Sequence, residues 1–183
     1  MIRLLVPSET AESVADIDLD NLQARGIDSL ILDLDNTIAP WQKLDVPESI
    51  ERWIAAARAR GMKLCIASNT RNTRRLNQIA ERFGMYAISR ALKPRRKGFR
   101  TALHAIASDP ARAAVIGDQL LTDVFGGNRA GLYTILVKPL HKREFIGTKV
   151  SRVLERALLG WFRWRGLLGT KAGPGQSERK ERA

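Results

Sequence analysis

The sequence predicts an α/β fold, a doubly wound, Rossmann-like parallel sheet with helices on both faces, and three observations predict it. Five short apolar runs are continuous rather than alternating, as strands buried on both faces require. Segments with apolar residues at helical spacing lie between them. Gly61, Gly84 and Gly131 follow three of those segments, where glycine readily closes a helix. Strand–helix alternation of this kind builds a doubly wound sheet.

Ser29-Leu30-Ile31-Leu32-Asp33 is the first run, and a helix follows from Pro47 to Arg60. Proline suits the first helical position, because its missing N–H would have no partner there. Lys63-Leu64-Cys65-Ile66-Ala67 precedes a helix over Thr73 to Phe83, and Tyr86-Ala87-Ile88 precedes one over Phe99 to Ala107. Ala113-Ala114-Val115-Ile116 leads to the last helix, Leu121 to Ala130, and Tyr133-Thr134-Ile135-Leu136-Val137 completes the set. These elements form one expected domain over residues 1–142, and 183 residues bury a core without staples.

Composition narrows the class. Cys65 is the single cysteine, so no intramolecular disulfide framework exists; it lies in an apolar run, where a thiol is usually buried and inert. No stretch approaches the roughly 18 apolar residues of a membrane span, and Met1 to Pro7 is too short for a secretory core. The expectation is a cytoplasmic protein, soluble or peripheral on the inner face of the membrane. A net charge of +12 implies attraction to something anionic: nucleic acid, an anionic membrane or a phosphorylated substrate. The charge is uneven, acidic over residues 1–50 and basic over Arg71 to Arg100 and from Lys138 onward.

Such sheets bind ligands at the carboxyl ends of their strands, and here those ends are polar. Asp33-Leu34-Asp35-Asn36-Thr37 follows the first strand and Ser68-Asn69-Thr70 the second; Lys93-Pro94 follows the third, and Gly117-Asp118-Gln119, with Asp123 beyond, the fourth. Asp33 and Asp35, two apart on extended chain, put their carboxylates on one side. With Asp118 they offer oxygen ligands suited to a hard cation such as Mg²⁺. No Cys/His cluster supports zinc; His104 and His141 lack ligand spacing. Ser68, Lys93 and backbone N–H groups can hold phosphate oxygens. Each motif alone reads as a turn, a cap or a surface lysine, but caps have no reason to collect at one sheet edge.

The set Asp33-x-Asp35-x-Thr37, Ser68, Lys93 and Gly117-Asp118-x-x-x-x-Asp123 resembles the four ordered motifs of the haloacid dehalogenase (HAD) phosphatases. The wording around them, with Ile17-Asp18-Leu19-Asp20-Asn21-Leu22 upstream, resembles the YqeG-like subgroup, which includes phosphatidylglycerophosphate phosphatases of mitochondria and plastids. The resemblance implies an HAD fold and a Mg²⁺-dependent phosphatase working through an aspartyl-phosphate. In that scheme Asp33 is nucleophile and metal ligand, and Asp35 is acid–base, with its backbone carbonyl on the metal. Thr37 buttresses the loop, Ser68 and Lys93 bind the phosphoryl group, and Asn69 makes a phosphate or loop contact. Asp118 ligates Mg²⁺ directly, and Asp123 acts through water or through hydrogen bonds to the groups around the metal.

Neither the Thr37–Ser68 interval nor the Ser68–Lys93 interval holds an extra domain, so the chain resembles the capless kind, whose open site suits a phosphate presented on a membrane, a protein or a polynucleotide. From Phe145, apolar Ile146, Val150, Val153, Leu154, Leu158, Trp161 and Trp164 recur at helical steps among Lys149, Arg152, Arg156, Arg163 and Arg165. Residues 143–169 are thus expected to form a basic amphipathic helix, either packed on the core or lying on an anionic bilayer. Residues 170–183 have the composition of a disordered tail. The anionic head group of phosphatidylglycerophosphate is the leading partner. Nucleic-acid ends, phosphoproteins and small phosphate esters stay open, as does a non-catalytic RNA- or ribosome-associated module. No aromatic platform for single strands is evident.

Overall fold

Neighbouring residues of the central strands enter different hydrophobic cores, as a sheet covered on both faces requires. The computed structural model of the chain describes residues 2–141 and residue 160. The expected helix at 143–169 and tail at 170–183 fall outside the described residues, apart from Gly160 in a helical turn. The strands are β1 (Glu9–Ala11), β2 (Ser29–Leu32), β3 (Lys63–Ala67), β4 (Tyr86–Ile88), β5 (Ala113–Gly117) and β6 (Tyr133–Val137). The helices are α1 (Leu19–Ala24), α2 (Glu48–Ala59), α3 (Thr73–Phe83), α4 (Arg96–Ala105) and α5 (Phe125–Ala130). All strands pair in parallel in the order β1-β6-β5-β2-β3-β4.

Leu30 and Leu32 of β2, Leu64 and Ile66 of β3, and Ala114 and Ile116 of β5 join one core with Ile50, Trp53 and Ile54 of α2 and Leu76 and Ile79 of α3. The intervening Ile31, Cys65 and Val115 join the other, against Phe99, Ala102 and Leu103 of α4. That alternation is the doubly wound architecture, and β3, β4, β6 and α3 occupy the residues their patterns indicate.

Three local differences have physical causes. β1 is an edge strand of only Glu-Thr-Ala, pairing with β6 through Glu9↔Ile135 to Ala11↔Val137; it carries no apolar run and leaves no hydropathy signal. α1 is a six-residue helix started by Asp18, whose Oδ1 accepts from the N–H groups of Asp20 and Asn21 at 3.0 Å. Trp53 ties this N-terminal segment to α2 by donating its indole N–H to the Ile17 carbonyl at 2.8 Å. The helix expected at Leu121–Ala130 divides into a π-helical turn, Leu120–Val124, and α5. Among the described residues no helix is long and apolar enough to cross a membrane.

Candidate active site

Strand register does most of the assembly. Leu32 lies beside Ile66 of β3 and Ile116 of β5, so the next residues of all three strands emerge together at the carboxyl edge. β2 is where the chain order reverses, with β3 and β4 to one side and β5 and β6 to the other. Such a switch point opens a crevice beyond the strand ends. Asp33 enters it from β2, its N–H still donating to the Ile116 carbonyl at 2.9 Å. Asn36 turns the chain in the left-handed region, φ 63°, which asparagine tolerates better than most residues. Its role is turn geometry.

Lys93 arrives on the loop between β4 and α4. Its buried ammonium donates to Asp33 Oδ1 and to Asp123 Oδ1, each at 2.6 Å. Burial opposes that charge, but the Asp123 and Asp33 carboxylates outweigh it and hold Lys93 above its ordinary pKa. Asn69 fixes the backbone at this point. Its Oδ1 accepts from the Lys93 N–H at 2.8 Å, and its Nδ2 donates to the Lys93 carbonyl at 3.0 Å. Of the two contacts expected of Asn69, the structure gives it the loop. Ser68 is buried, and its Oγ accepts from the Thr70 N–H at 3.1 Å, which leaves the hydroxyl proton to donate.

Asp123 reaches the cluster because the π-helical turn carries it back over Gly117. A Cβ at Gly117 would lie 2.3 Å from the Asp123 carboxyl carbon, so only glycine fits there. Asp123 Oδ2 accepts from the Gln119 N–H at 3.2 Å. Burial raises its pKa and Lys93 lowers it; with Asp33 also close, the carboxyl is pushed up to about 6. The Thr37 hydroxyl stands between Asp33 Oδ2 and Asp118 Oδ1, at 3.4 Å and 3.5 Å, able to donate to either.

Asp33, Asp118 and Asp123 each place a carboxylate oxygen within 4.8 Å of the others, all three residues buried. Three carboxylates against the Lys93 ammonium leave an excess of two negative charges, which one divalent cation balances. Hard oxygen donors suit such an ion, and the cluster fits a divalent metal. The Asp35 carboxylate lies outside this trio.

Asp35 points to a residue that the motifs omit. Arg75, in the first turn of α3, donates to Asp35 Oδ1 at 2.7 Å, to the Lys43 carbonyl at 2.6 Å and to the Pro40 carbonyl at 3.0 Å. Its side chain is only 6% exposed, against 22% for that of Asp35. Burial raises the Asp35 pKa; Arg75 opposes this, and the net direction is up. A sequence signal existed. Arg75 falls on the buried stripe of Leu76, Ile79 and Ala80, where a charge requires a partner.

Between Thr37 and Ser68 the chain builds only a loop, α2 and β3, and between Ser68 and Lys93 only α3, β4 and their connections. No cap domain occupies either interval. A cavity of about 700 Å³ opens beside Lys93, walled by Arg71, Arg90, Leu92 and Arg95.

Residues 91–139, which include Lys93, Asp118 and Asp123, match the family described as HAD-hydrolase-like. The chain is 34% identical over 164 residues to the probable phosphatase YqeG of Bacillus subtilis, covering 90% of this chain and 95% of that protein. The chain belongs to the YqeG-like HAD phosphatases. Chloroplastic/mitochondrial phosphatidylglycerophosphate phosphatase 1 of Arabidopsis thaliana is 28% identical over 176 residues, covering 88% of this chain and 49% of that protein. Among solved structures, 3-deoxy-D-manno-octulosonate 8-phosphate phosphatase of Yersinia pestis superimposes with a TM-score of 0.50 at 16% identity, over 87% of this chain and 97% of that one. At that identity the likeness concerns the fold alone, and it places this YqeG-like phosphatase in the HAD architecture.

Proposed function

We propose that this phosphatase hydrolyses phosphomonoesters through an aspartyl-phosphate on Asp33, with phosphatidylglycerophosphate as substrate and phosphatidylglycerol as product. The observation that carries the chemistry is the Lys93 ammonium, 2.6 Å from both Asp33 and Asp123, inside a cluster with two negative charges in excess. Asp33, Asp118 and the Asp35 carbonyl would hold Mg²⁺. Asp123, whose oxygens already engage Lys93 and the Gln119 N–H, would reach it through water. When bound there, the ion supplies positive charge against the phosphoryl oxygens.

The protein's own groups account for the remaining steps. Lys93 offsets the repulsion between an anionic phosphoryl group and the attacking Asp33 carboxylate. Asp33 forms a bond to phosphorus as the ester oxygen leaves, and protonated Asp35 gives that oxygen its proton. The raised pKa of Asp35 favours the protonated form this step needs. Asp35 then takes a proton from water as its oxygen attacks phosphorus, which frees Asp33 and releases phosphate. Ser68 donates its hydroxyl proton to a phosphoryl oxygen. Splitting one displacement into two lowers the barrier of each.

The lipid substrate is supported by the likeness to the Arabidopsis enzyme and by the absence of a cap, which leaves the site accessible to a head group at a membrane surface. Peripheral attachment through residues 143–169 on the inner membrane face belongs to the same proposal. The test is release of phosphate from phosphatidylglycerophosphate in mixed micelles with Mg²⁺, compared with 5′-phosphorylated RNA, a phosphopeptide and sugar phosphates. A preference for any of the other three overturns the lipid assignment and leaves the chemistry in place.

A further inference from the structure

Most of the described arginines near carboxylates are paired with them. Arg52 meets Glu48, Arg60 meets Asp20, Arg75 meets Asp35, Arg82 meets Glu51 and Arg112 meets Asp28. The three around the cavity beside Lys93 differ. Among the described residues, Arg71, Arg90 and Arg95 make no ion pair and no side-chain hydrogen bond, and the cavity lining contains no carboxylate. Three arginines lining one hollow bring like charges near one another, and among the described residues no carboxylate pairs with them. Arg74, Arg96 and Arg100 are also exposed without an ion pair or side-chain hydrogen bond among the described residues, but they do not line this hollow; what sets Arg71, Arg90 and Arg95 apart is that they share it, where a negative charge from outside would balance them.

The backbone holds the arrangement in place. The Arg90 N–H donates to the Thr70 carbonyl at 3.3 Å, and the Arg95 N–H to the Leu92 carbonyl at 2.9 Å, which ties both cavity walls together. Arg90 and Leu92 both sit at positive φ, 48° and 53°. That conformation is costly for side chains of their size, and it sets the walls on either side of the turn. Lys93 belongs to the same lining, so the hollow adjoins the catalytic cluster. Leu92, 52% exposed, adds an apolar rim.

We infer that the Arg71–Arg90–Arg95 cavity is a second anionic subsite, binding a phosphodiester that the substrate carries next to the phosphomonoester presented to Asp33. This rests on the phosphatase reading above and deepens it. Guanidiniums bind phosphate oxygens through paired N–H donors, and an open site without a cap needs such contacts to select among phosphomonoesters. A glycerophospholipid head group supplies both phosphates. A 5′-phosphorylated polynucleotide also carries a phosphodiester beside its end, but the lining holds no aromatic ring on which a base would stack.

The experiment measures kcat/KM with Mg²⁺ for three soluble substrates: glycerol 3-phosphate, the deacylated head group of phosphatidylglycerophosphate, and a 5′-phosphorylated dinucleotide. The expected result is a head-group to glycerol 3-phosphate ratio well above ten, falling roughly tenfold with each of R71A, R90A and R95A, as loss of a charged hydrogen bond gives. Arg112→Ala, which removes equal charge at the opposite, amino-terminal edge of the sheet, keeps the ratio. A ratio near one, equal losses on both glycerol substrates, or an equal effect of Arg112→Ala overturns the subsite. A dinucleotide preferred over the head group, with the same arginine dependence, overturns its assignment to a phospholipid. Whole phosphatidylglycerophosphate is assayed in parallel. Its hydrolysis without arginine-dependent discrimination sinks the subsite alone, and discrimination on soluble substrates without lipid hydrolysis sinks the lipid reading alone.

Discussion

Replacing Arg75 with alanine separates a catalytic support from a structural clamp. The guanidinium serves three acceptors: Asp35 at 2.7 Å and the Lys43 and Pro40 carbonyls at 2.6 and 3.0 Å. Breaking a buried ion pair by removing one partner costs about 3–5 kcal/mol. The Asp35 side chain is 22% exposed, so water recovers part of that, and the lower end applies. The two carbonyls belong to a segment whose Trp41, Gln42 and Lys43 are exposed, and water replaces their donor for about 1 kcal/mol or less each. The sum is about 3–5 kcal/mol, a loss of about 6–20 °C in Tm for a chain of this size. Domains of this kind are typically stable by about 5–15 kcal/mol, so the variant folds.

The kinetic consequence is separate from the loss of stability. Asp35 keeps the N–H of Gln42 but loses the guanidinium N–H that fixes its direction. Misplacing a reacting group by about 1 Å costs roughly 10²-fold. We expect kcat to fall about 10²-fold with KM little changed, at the low end of the 10²–10⁴ range expected for removal of the proposed acid–base group itself. Arg75 also lowers the Asp35 pKa, so its removal moves that pKa further up. The limb of the pH–rate profile that reports Asp35 should shift to higher pH, and Arg75→Lys should restore part of both. The assay is p-nitrophenyl phosphate hydrolysis with Mg²⁺ from pH 4.5 to 9, alongside thermal unfolding. An Arg75→Ala enzyme with wild-type kcat, an unmoved profile and only a lower Tm refutes the reasoning and leaves Arg75 a loop clamp.

Other perturbations give sharper yes-or-no results. Asp33→Asn should reduce turnover to background and abolish acid-stable incorporation of phosphate into the protein, while leaving the fold intact. Chelation should abolish activity and Mg²⁺ restore it; Mg²⁺ should also raise Tm by mass action, a rise that Asp118→Asn loses. Gly117→Ala puts a methyl group 2.3 Å from the Asp123 carboxyl carbon, and should lower kcat/KM at least tenfold by displacing Asp123 and, through it, Lys93. Cys65 is buried, with a thiol pushed up to about 12, so below that pH it stays protonated and should react with a thiol reagent at pH 8 only after denaturation.

Legibility in the sequence followed the physics of each element. β2, β3 and β5 are buried on both faces, so their apolar runs announce them; β1 is three residues at an edge, held by pairing with β6, and leaves no such trace. The carboxyl edge was legible because every strand in a parallel sheet ends there, which brings Asp33, Ser68, Lys93 and Asp118 together without any knowledge of side-chain geometry. Orientation was not legible. Asn69 lies beside Ser68 in sequence, but its amide turns to the Lys93 backbone. The π-helical turn that brings Asp123 to Lys93 depends on one additional residue per turn, which hydropathy does not register.

Arg75 and the cavity arginines show the same limit from opposite sides. In the sequence all four are basic residues within the Arg71–Arg100 stretch, and charge counting treats them alike. The structure divides them by what stands opposite. Arg75 is enclosed and meets a carboxylate, so its charge is spent inside the molecule on the direction of Asp35. Arg71, Arg90 and Arg95 face a hollow without a carboxylate, so theirs is available to a ligand. A net charge therefore says little about binding until the internally paired cations are removed from the count. Those that remain around the cavity lie beside Lys93, which donates to Asp33.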